Sequence, residues 1–266
     1  MIAPGKVNLS LFVGAPRADG LHPLVSVVQA VTLADEVTMV NAARDEVVCP
    51  GVDGPNLATR ALAVFREATG WKEPQRITIT KHIPVAAGMG GGSSDAAAVL
   101  RLAAAAAGID DHALLSELAF RIGADVPSLL DPGRVLMAGA GERVERLPDP
   151  EPFGLVIVPS AETLSTPAVY QAFDRLGGAR PEAELEAREE EARAGGPPPP
   201  VNDLQDAARS LCPAIDPVLD DVAATGADHA LVSGSGPTVF GYFDDPERAH
   251  AAAAQLAGAI AVEPLR

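Results

Sequence analysis

Residues 83–95 read Ile83-Pro84-Val85-Ala86-Ala87-Gly88-Met89-Gly90-Gly91-Gly92-Ser93-Ser94-Asp95, with four glycines in the five positions from Gly88 to Gly92. The alternating run Arg76-Ile77-Thr78-Ile79-Thr80-Lys81 before it reads as a strand. The alanine- and leucine-rich run after it reads as a helix from about Ser94 to Ala107, stopped by Gly108. A strand that ends in glycines and feeds a helix start makes an anion site. Backbone N–H groups are unshielded there, the helix dipole is positive, and no side chain blocks close approach. The natural ligand is a phosphate chain, and a branched side chain at Gly91 would fill phosphate space. Glycine clusters also form plain turns, so the loop alone does not name a ligand. No Gly-Lys-Ser/Thr follows the glycines, which disfavours a Walker-type ATPase. The dinucleotide spacing fails too, because Asp110 and Asp111, the acids at about the right offset, follow a helix rather than a second strand.

The 266 residues suit one large domain or two small ones. Apolar residues make up 47% but aromatics only 4%, so alanine, valine and leucine must build the core. The formal charge of −16 argues against a nucleic-acid partner but not against one bound nucleotide, which a few backbone amides and a lysine can hold. Cys49 and Cys212 have no metal-ligand spacing and read as indifferent thiols. The first residues do not read as a signal peptide, and no apolar run reaches about 18 residues, so the expected location is cytoplasmic with no membrane partner.

Outward from the loop, residues 6–13 alternate as a strand, with Lys6 and Asn8 sharing one side. Strands are expected at Leu24 to Leu33 and Glu36 to Val40, split by Asp35-Glu36. A helix is expected over Asn56 to Thr69 and another over Asp111 to Ile122. Arg134 to Ala138 and Arg143 to Leu147 form a hairpin pattern, and Asp149-Pro150-Glu151-Pro152 reads as a linker. Beyond it, strands are expected at 153–158, 230–233, 238–243 and 260–262, and helices at 167–176, 202–211, 214–224 and 246–257. The acidic and proline-rich stretch 180–200 reads as a solvated helix running into a mobile loop. Strands and helices mix without regular βαβ alternation, which points to an α+β fold in two domains.

Three segments carry the chemistry: Pro4-Gly5-Lys6-Val7-Asn8-Leu9, then Pro84 through Ser94, then Val232-Ser233-Gly234-Ser235-Gly236-Pro237-Thr238-Val239-Phe240. In this order they resemble the three motifs of the GHMP small-molecule kinase superfamily, and the resemblance covers almost the whole chain. It implies an ATP-dependent small-molecule kinase with Mg²⁺. The implied fold is two-domain, with a ribosomal protein S5 domain 2-like ATP-binding domain at 1–150 and a ferredoxin-like substrate-side domain at 151–266. By the same resemblance Asp125 is the catalytic base and Lys6 its partner. A carboxylate near a lysine stays ionised and can accept a hydroxyl proton, which agrees with those roles. ATP would be bound by Pro84, Val85, Ala86, Ala87, Gly88, Met89, Gly90, Gly91, Gly92, Ser93 and Ser94, with Lys81 and Asn56 flanking adenine.

Further elements, Arg17-Ala18-Asp19-Gly20-Leu21-His22, Gly123-Ala124-Asp125-Val126-Pro127, Ser165-Thr166-Pro167 and Asn202-Asp203-Leu204, resemble the branch of the superfamily whose acceptor is a cytidine diphosphate-linked methylerythritol. They imply that Asn8, His22, Thr166 and Tyr170, with Gly234, Ser235 and Gly236, hold that acceptor, His22 bonding cytosine and Tyr170 stacking on it. The chain departs from the pattern at Leu21, where many relatives carry an aromatic; leucine offers no π face. Asp95 reads as support for the helix N-terminus, and Ser93 or Ser94 as the candidate protein ligand of Mg²⁺. The rival expectations are a homoserine, mevalonate or sugar kinase of the same superfamily, and an inactive nucleotide-binding relative.

Overall fold

One long strand organises the first half of the chain. The computed structural model describes residues 1–52, 56–85 and 88–266. In it β1 (Ile2–Val13) pairs antiparallel with β2 (Leu24–Asn41), which runs unbroken for 18 residues. The expected break at Asp35-Glu36 is absent, because Asp35 is fully buried with partners of its own and its backbone stays in the ladder. Next come β3 (Glu46–Val48), α1 (Leu57–Thr69) and β4 (Gln75–Thr80), with β3 parallel to β4 through the α1 crossover. α2 (Gly91–Ala107), α3 (His112–Ile122) and a short 3-10 turn (Pro127–Leu129) follow, then the hairpin β5 (Arg134–Gly139) and β6 (Arg143–Arg146). These strands form one six-stranded sheet. Its Val37, Ile77 and Ile79 pack under α1–α3 with Ala61, Phe65, Val99, Leu100 and Leu118.

The second half holds β7 (Gly154–Val158), α4 (Thr166–Leu176), α5 (Glu182–Arg193), α6 (Gln205–Leu211) and α7 (Ile215–Ala224). After them come β8 (His229–Val232), β9 (Val239–Phe243), α8 (Pro246–Ala253) and β10 (Ile260–Val262). The four strands lie in the order β10-β7-β9-β8, all antiparallel. Counted along the chain this is fourth, first, third, second, the ferredoxin-like order. The α+β class with two sheets is therefore as expected. Alternation decides the faces: Leu155, Ile157, Leu231 and Phe240 meet Val7, Leu9, Val25 and Val27 of the first sheet, while Val232 and Val239 turn to α4, α6 and α7.

Elements of the second half also depart in part from expectation. α5 is not fully solvated. It packs on β1, β2 and β5, with Leu185 buried in the shared core and Glu189 held by Arg143 at 2.6 Å and Arg193 at 3.1 Å. Glu189 is thus paired by neighbouring arginines, while Glu182, Glu186 and Glu190 face solvent. The helix expected at 202–211 begins at Gln205, because Asn202 pairs with Leu11 as an isolated bridge. Among the described residues no helix is long and apolar enough to cross a membrane.

Candidate active site

The glycine loop is fastened to β1 by its own backbone. The Lys6 amide donates to the Met89 carbonyl at 2.9 Å, and the Met89 side chain is buried in the shared core. Gly5 permits this approach, since a Cβ there would lie 3.2 Å from Met89 Cε and 3.3 Å from the Leu33 carbonyl oxygen. Gly88 and Gly90 adopt φ of 66° and 68°, the left-handed region that costs other residues strain. Gly90 caps α2 with no side-chain hydrogen bond. The helix thus starts at Gly91, three residues before the expected Ser94, and its first N–H groups stay open to a ligand. A Cβ on Gly91 would meet Ile83 Cγ2 at 3.2 Å and Lys81 Nζ at 3.3 Å. A side chain there would therefore also crowd Lys81 and Ile83.

Two cavities meet at this loop, one of about 740 Å³ and one of about 320 Å³, and Gly88, Gly90 and Ser93 line both. On the smaller lie Pro84, Val85, Met89, Gly91 and Gly92, together with Lys81 and Asn56. Asn56 also caps α1 by accepting from the Ala58 amide at 2.8 Å. Ala86 and Ala87 lie outside the described residues. Ser94 lies on neither wall: it is buried in α2, and its hydroxyl has no partner among the described residues. Of the two serines, Ser93 is the one on the cavity walls.

On the larger cavity Lys6 Nζ stands 3.4 Å from Asp125 Oδ2 and donates to Asn8 Oδ1 at 2.6 Å. Asn8 in turn donates to Ser26 Oγ at 2.8 Å, and Ser26 to the Ser10 carbonyl at 2.6 Å. Both Lys6 and Asn8 are buried, so this chain of bonds is what offsets their desolvation. A register shift between Asn8 and Ser10 changes which residues face which core. Val7, Leu9 and Phe12 stay on the inter-sheet side, while Leu11 and Val13 continue the side of Lys6 and Asn8. Asp125 sits in the turn between α3 and the 3-10 turn, where its carbonyl accepts from Ser128 Oγ at 2.7 Å. The third motif closes in from the other sheet: a Cβ on Gly234 would come within 3.0 Å of Asn8 Oδ1 and 3.6 Å of Lys6 Nζ. Gly234, Ser235 and Gly236 all line the cavity, and Asn202 holds their turn by donating to the carbonyls of Val232 (2.7 Å) and Gly234 (2.8 Å).

Under the smaller cavity two carboxylates share one ammonium. Lys81 Nζ bonds Asp35 Oδ2 and, at 2.8 Å, Asp95 Oδ2, while Asp35 Oδ1 accepts from the amides of His82 (2.6 Å) and Ile83 (2.9 Å). Burial pushes the Asp95 carboxyl up to about 6 against the opposing pull of Lys81. Burial also works against charge on Lys81, but its bonds to Asp35 and Asp95 outweigh it and raise the ammonium above its usual range. Asp95 stands near the start of α2, where it is expected to support the helix N-terminus, and it is also a buried partner of Lys81. Its Oδ1 has no partner among the described residues, although Asp95 lines the cavity. Cys49 lines the same wall, its thiol pushed up by burial and by the Asp95 charge.

At the far end of the larger cavity His22 Nε2 pairs with Asp174 Oδ1 at 2.8 Å, and its ring leans on Tyr170 with centroids 4.8 Å apart. Burial, then the nearby Asp125 charge, raises the Tyr170 phenol far above its usual range, so it stays neutral. Thr166 Oγ1 and Ser235 Oγ are 3.0 Å apart, both from the second half. Leu21 lines the cavity and is 45% exposed, and the described wall holds no aromatic besides His22 and Tyr170. The sequence reading missed Asp35, Ser26 and Asp174. Their spacing from their partners, 46 positions for Asp35 and 152 for Asp174, leaves no local pattern to find.

A glycine loop between two cavities, with a lysine–carboxylate pair at the junction, defines a small-molecule phosphotransferase. Residues 56–132 match the domain family "GHMP kinases N terminal domain" and residues 184–261 match "GHMP kinases C terminal". A relative from Anaeromyxobacter dehalogenans named 4-diphosphocytidyl-2-C-methyl-D-erythritol kinase is 41% identical, covering 97% of this chain and 84% of its own. One of the same name from Streptomyces coelicolor is 41% identical over 88% of this chain and 84% of its own. A crystal structure of 4-(cytidine 5'-diphospho)-2C-methyl-D-erythritol kinase superposes with a TM-score of 0.81 at 36% identity, covering 99% and 98% of the two chains. The chain belongs to the GHMP kinases and, within them, to the 4-diphosphocytidyl-2-C-methyl-D-erythritol kinase family. A homoserine kinase from Cytophaga hutchinsonii, 18% identical with a TM-score of 0.68, shares the fold.

Proposed function

We propose that this chain transfers the γ-phosphoryl group of ATP to the 2-hydroxyl of 4-diphosphocytidyl-2-C-methyl-D-erythritol, a step of the non-mevalonate route to isoprenoid precursors. The observation that carries the reading is the Lys6–Asp125 pair, 3.4 Å apart, beside the glycines that two cavities share. The smaller cavity takes adenosine between Asn56, Lys81 and Pro84. The open amides of the first turn of α2 take the triphosphate, and the larger cavity takes the acceptor. Asp125 receives the hydroxyl proton as the oxygen attacks the γ-phosphorus. Lys6, held in place by Asn8, stabilises the charge on the transferring group. Mg²⁺ bound with the triphosphate supplies charge neutralisation. The oxygen donor on the cavity surface that fits it is the Ser93 hydroxyl, which lies on both walls. Among the described residues no group of three or more His, Cys, Asp or Glu forms a ready cage, in keeping with a metal that arrives on the nucleotide.

We assign residues 1–150 to the nucleotide domain and 151–266 to the acceptor-side domain. The last strand of the first sheet ends at Arg146 and the first strand of the second begins at Gly154, which supports that boundary. The acceptor end supports a cytidyl ligand over homoserine, mevalonate or a sugar, because His22 and Tyr170 form an aromatic corner that those acceptors do not need. The paired Lys6 and Asp125 argue against an inactive relative. A coupled ADP-release assay with the cytidyl erythritol, mevalonate, homoserine and galactose tests the reading. Turnover with the first alone is expected, and turnover with only one of the others would refute it.

A further inference from the structure

Three side chains of one helix enclose the imidazole of His22. Tyr170 lies against it, Phe173 meets it edge-on with centroids 6.2 Å apart, and Asp174 accepts from Nε2 at 2.8 Å. The His22 side chain is only 8% exposed, although it ends a loop whose other residues, Ala15 to Leu21, are all exposed. Its Nδ1 has no partner among the described residues and is not a buried atom, while His22 and Asp174 both line the larger cavity. Asp174 is not placed for the sake of its helix. It stands in the last turn of α4, where the C-terminal dipole disfavours a negative charge.

We infer that Asp174 is a specificity-determining positioning residue: it fixes the His22 ring so that Nδ1 alone faces the nucleobase of the acceptor. The inference rests on reading the larger cavity as the cytidyl site. Cytosine presents an acceptor at N3 beside a donor amine at N4, and uracil presents the reverse, a donor at N3 and an acceptor at O4. A ring held in one orientation matches one of these edges and opposes the other. A ring free to turn about χ2 matches neither well, and the missing aromatic at Leu21 leaves more of the discrimination to that contact.

The test compares Asp174→Ala and Asp174→Asn with the wild type, measuring kcat and KM for the cytidyl acceptor, its uridyl counterpart and ATP, with thermal melting alongside. Asp174→Ala is expected to raise KM for the cytidyl acceptor about tenfold and to narrow the cytidyl-to-uridyl ratio of kcat/KM. Its kcat, its KM for ATP and its melting temperature should hold. Asp174→Asn, whose Oδ1 still accepts from Nε2, should restore most of the loss. An unchanged cytidyl KM in the alanine variant overturns the inference, as does an asparagine variant equally impaired, or a loss of kcat and ATP affinity together with a lowered melting temperature. If the wild type itself is inert towards the cytidyl acceptor, the proposed function fails instead.

Discussion

Asp125 and Asp95 are both carboxylates near a lysine at this site, and their surroundings give them opposite tasks. Asp125 has a side chain 38% exposed, open to a hydroxyl on the larger cavity and only loosely paired with Lys6. Asp125→Asn is expected to cut turnover by about 10²–10⁴ while the dissociation constant of ATP, read by calorimetry, stays near the wild-type value. Turnover within a few-fold of wild type would remove it from the mechanism. Asp95 is buried and raised to about 6, above the value near 3.9 expected when unfolded. A raised pKa means that the folded state holds the proton more tightly. The stability Asp95 contributes is thus fully present below about pH 4 and is lost as pH rises through about 6. Urea unfolding of wild type and Asp95→Asn should show their stability difference shift against wild type over that window, on the order of 2–3 kcal/mol. A pH-independent difference contradicts the burial argument. Lys6 and Asn8 were legible in the sequence because they stand two apart on a strand and must share a side. Asp35 and Asp174 were not, because each acts on a partner that only the fold brings near.

The glycine-to-helix junction was legible in kind but not in register. A glycine run can end a loop or begin a helix, and composition does not separate the two. Here the helix claims Gly91 and Gly92 and leaves Gly90 as its cap at positive φ, with Lys6 packed against it. In Gly90→Ala the new Cβ would stand 3.0 Å from Lys6 Cγ in a conformation that costs alanine about 1–2 kcal/mol. The expected result is a lower kcat through a displaced Lys6, and wild-type turnover in that variant would refute the packing argument. The acidic α5 shows the opposite limit. Its glutamate-rich sequence is exposed over most of its length, and charge density alone did not show the buried Leu185 that docks it. Leu185→Ala is expected to cost about 2–4 kcal/mol by denaturant unfolding. A cost within about 0.5 kcal/mol, as for a surface site, would mean that the helix is not docked.

At the scale of the molecule, the α+β class was legible because strands and helices mix without a crossover rhythm. That the sheets would share a core was not, because an alternating strand shows that one face is buried but not what buries it. Val7 and Leu9 of the first sheet join Leu155, Ile157 and Phe240 of the second, and Asn202 of the second half pairs with Leu11 of the first. The same arrangement brings Gly234 against Asn8 and Lys6, so the site is assembled by the closure of one half on the other. Its central claim is that the glycine loop presents a triphosphate to an acceptor hydroxyl beside Lys6 and Asp125. Phosphorus NMR of ATP, Mg²⁺ and 4-diphosphocytidyl-2-C-methyl-D-erythritol incubated with the protein tests this most directly. One new phosphomonoester resonance, coupled to the carbon at position 2 and growing as ADP appears, is expected with the wild type, with almost none from Asp125→Asn. The absence of that resonance, or its growth at the same rate in both proteins, would contradict the account.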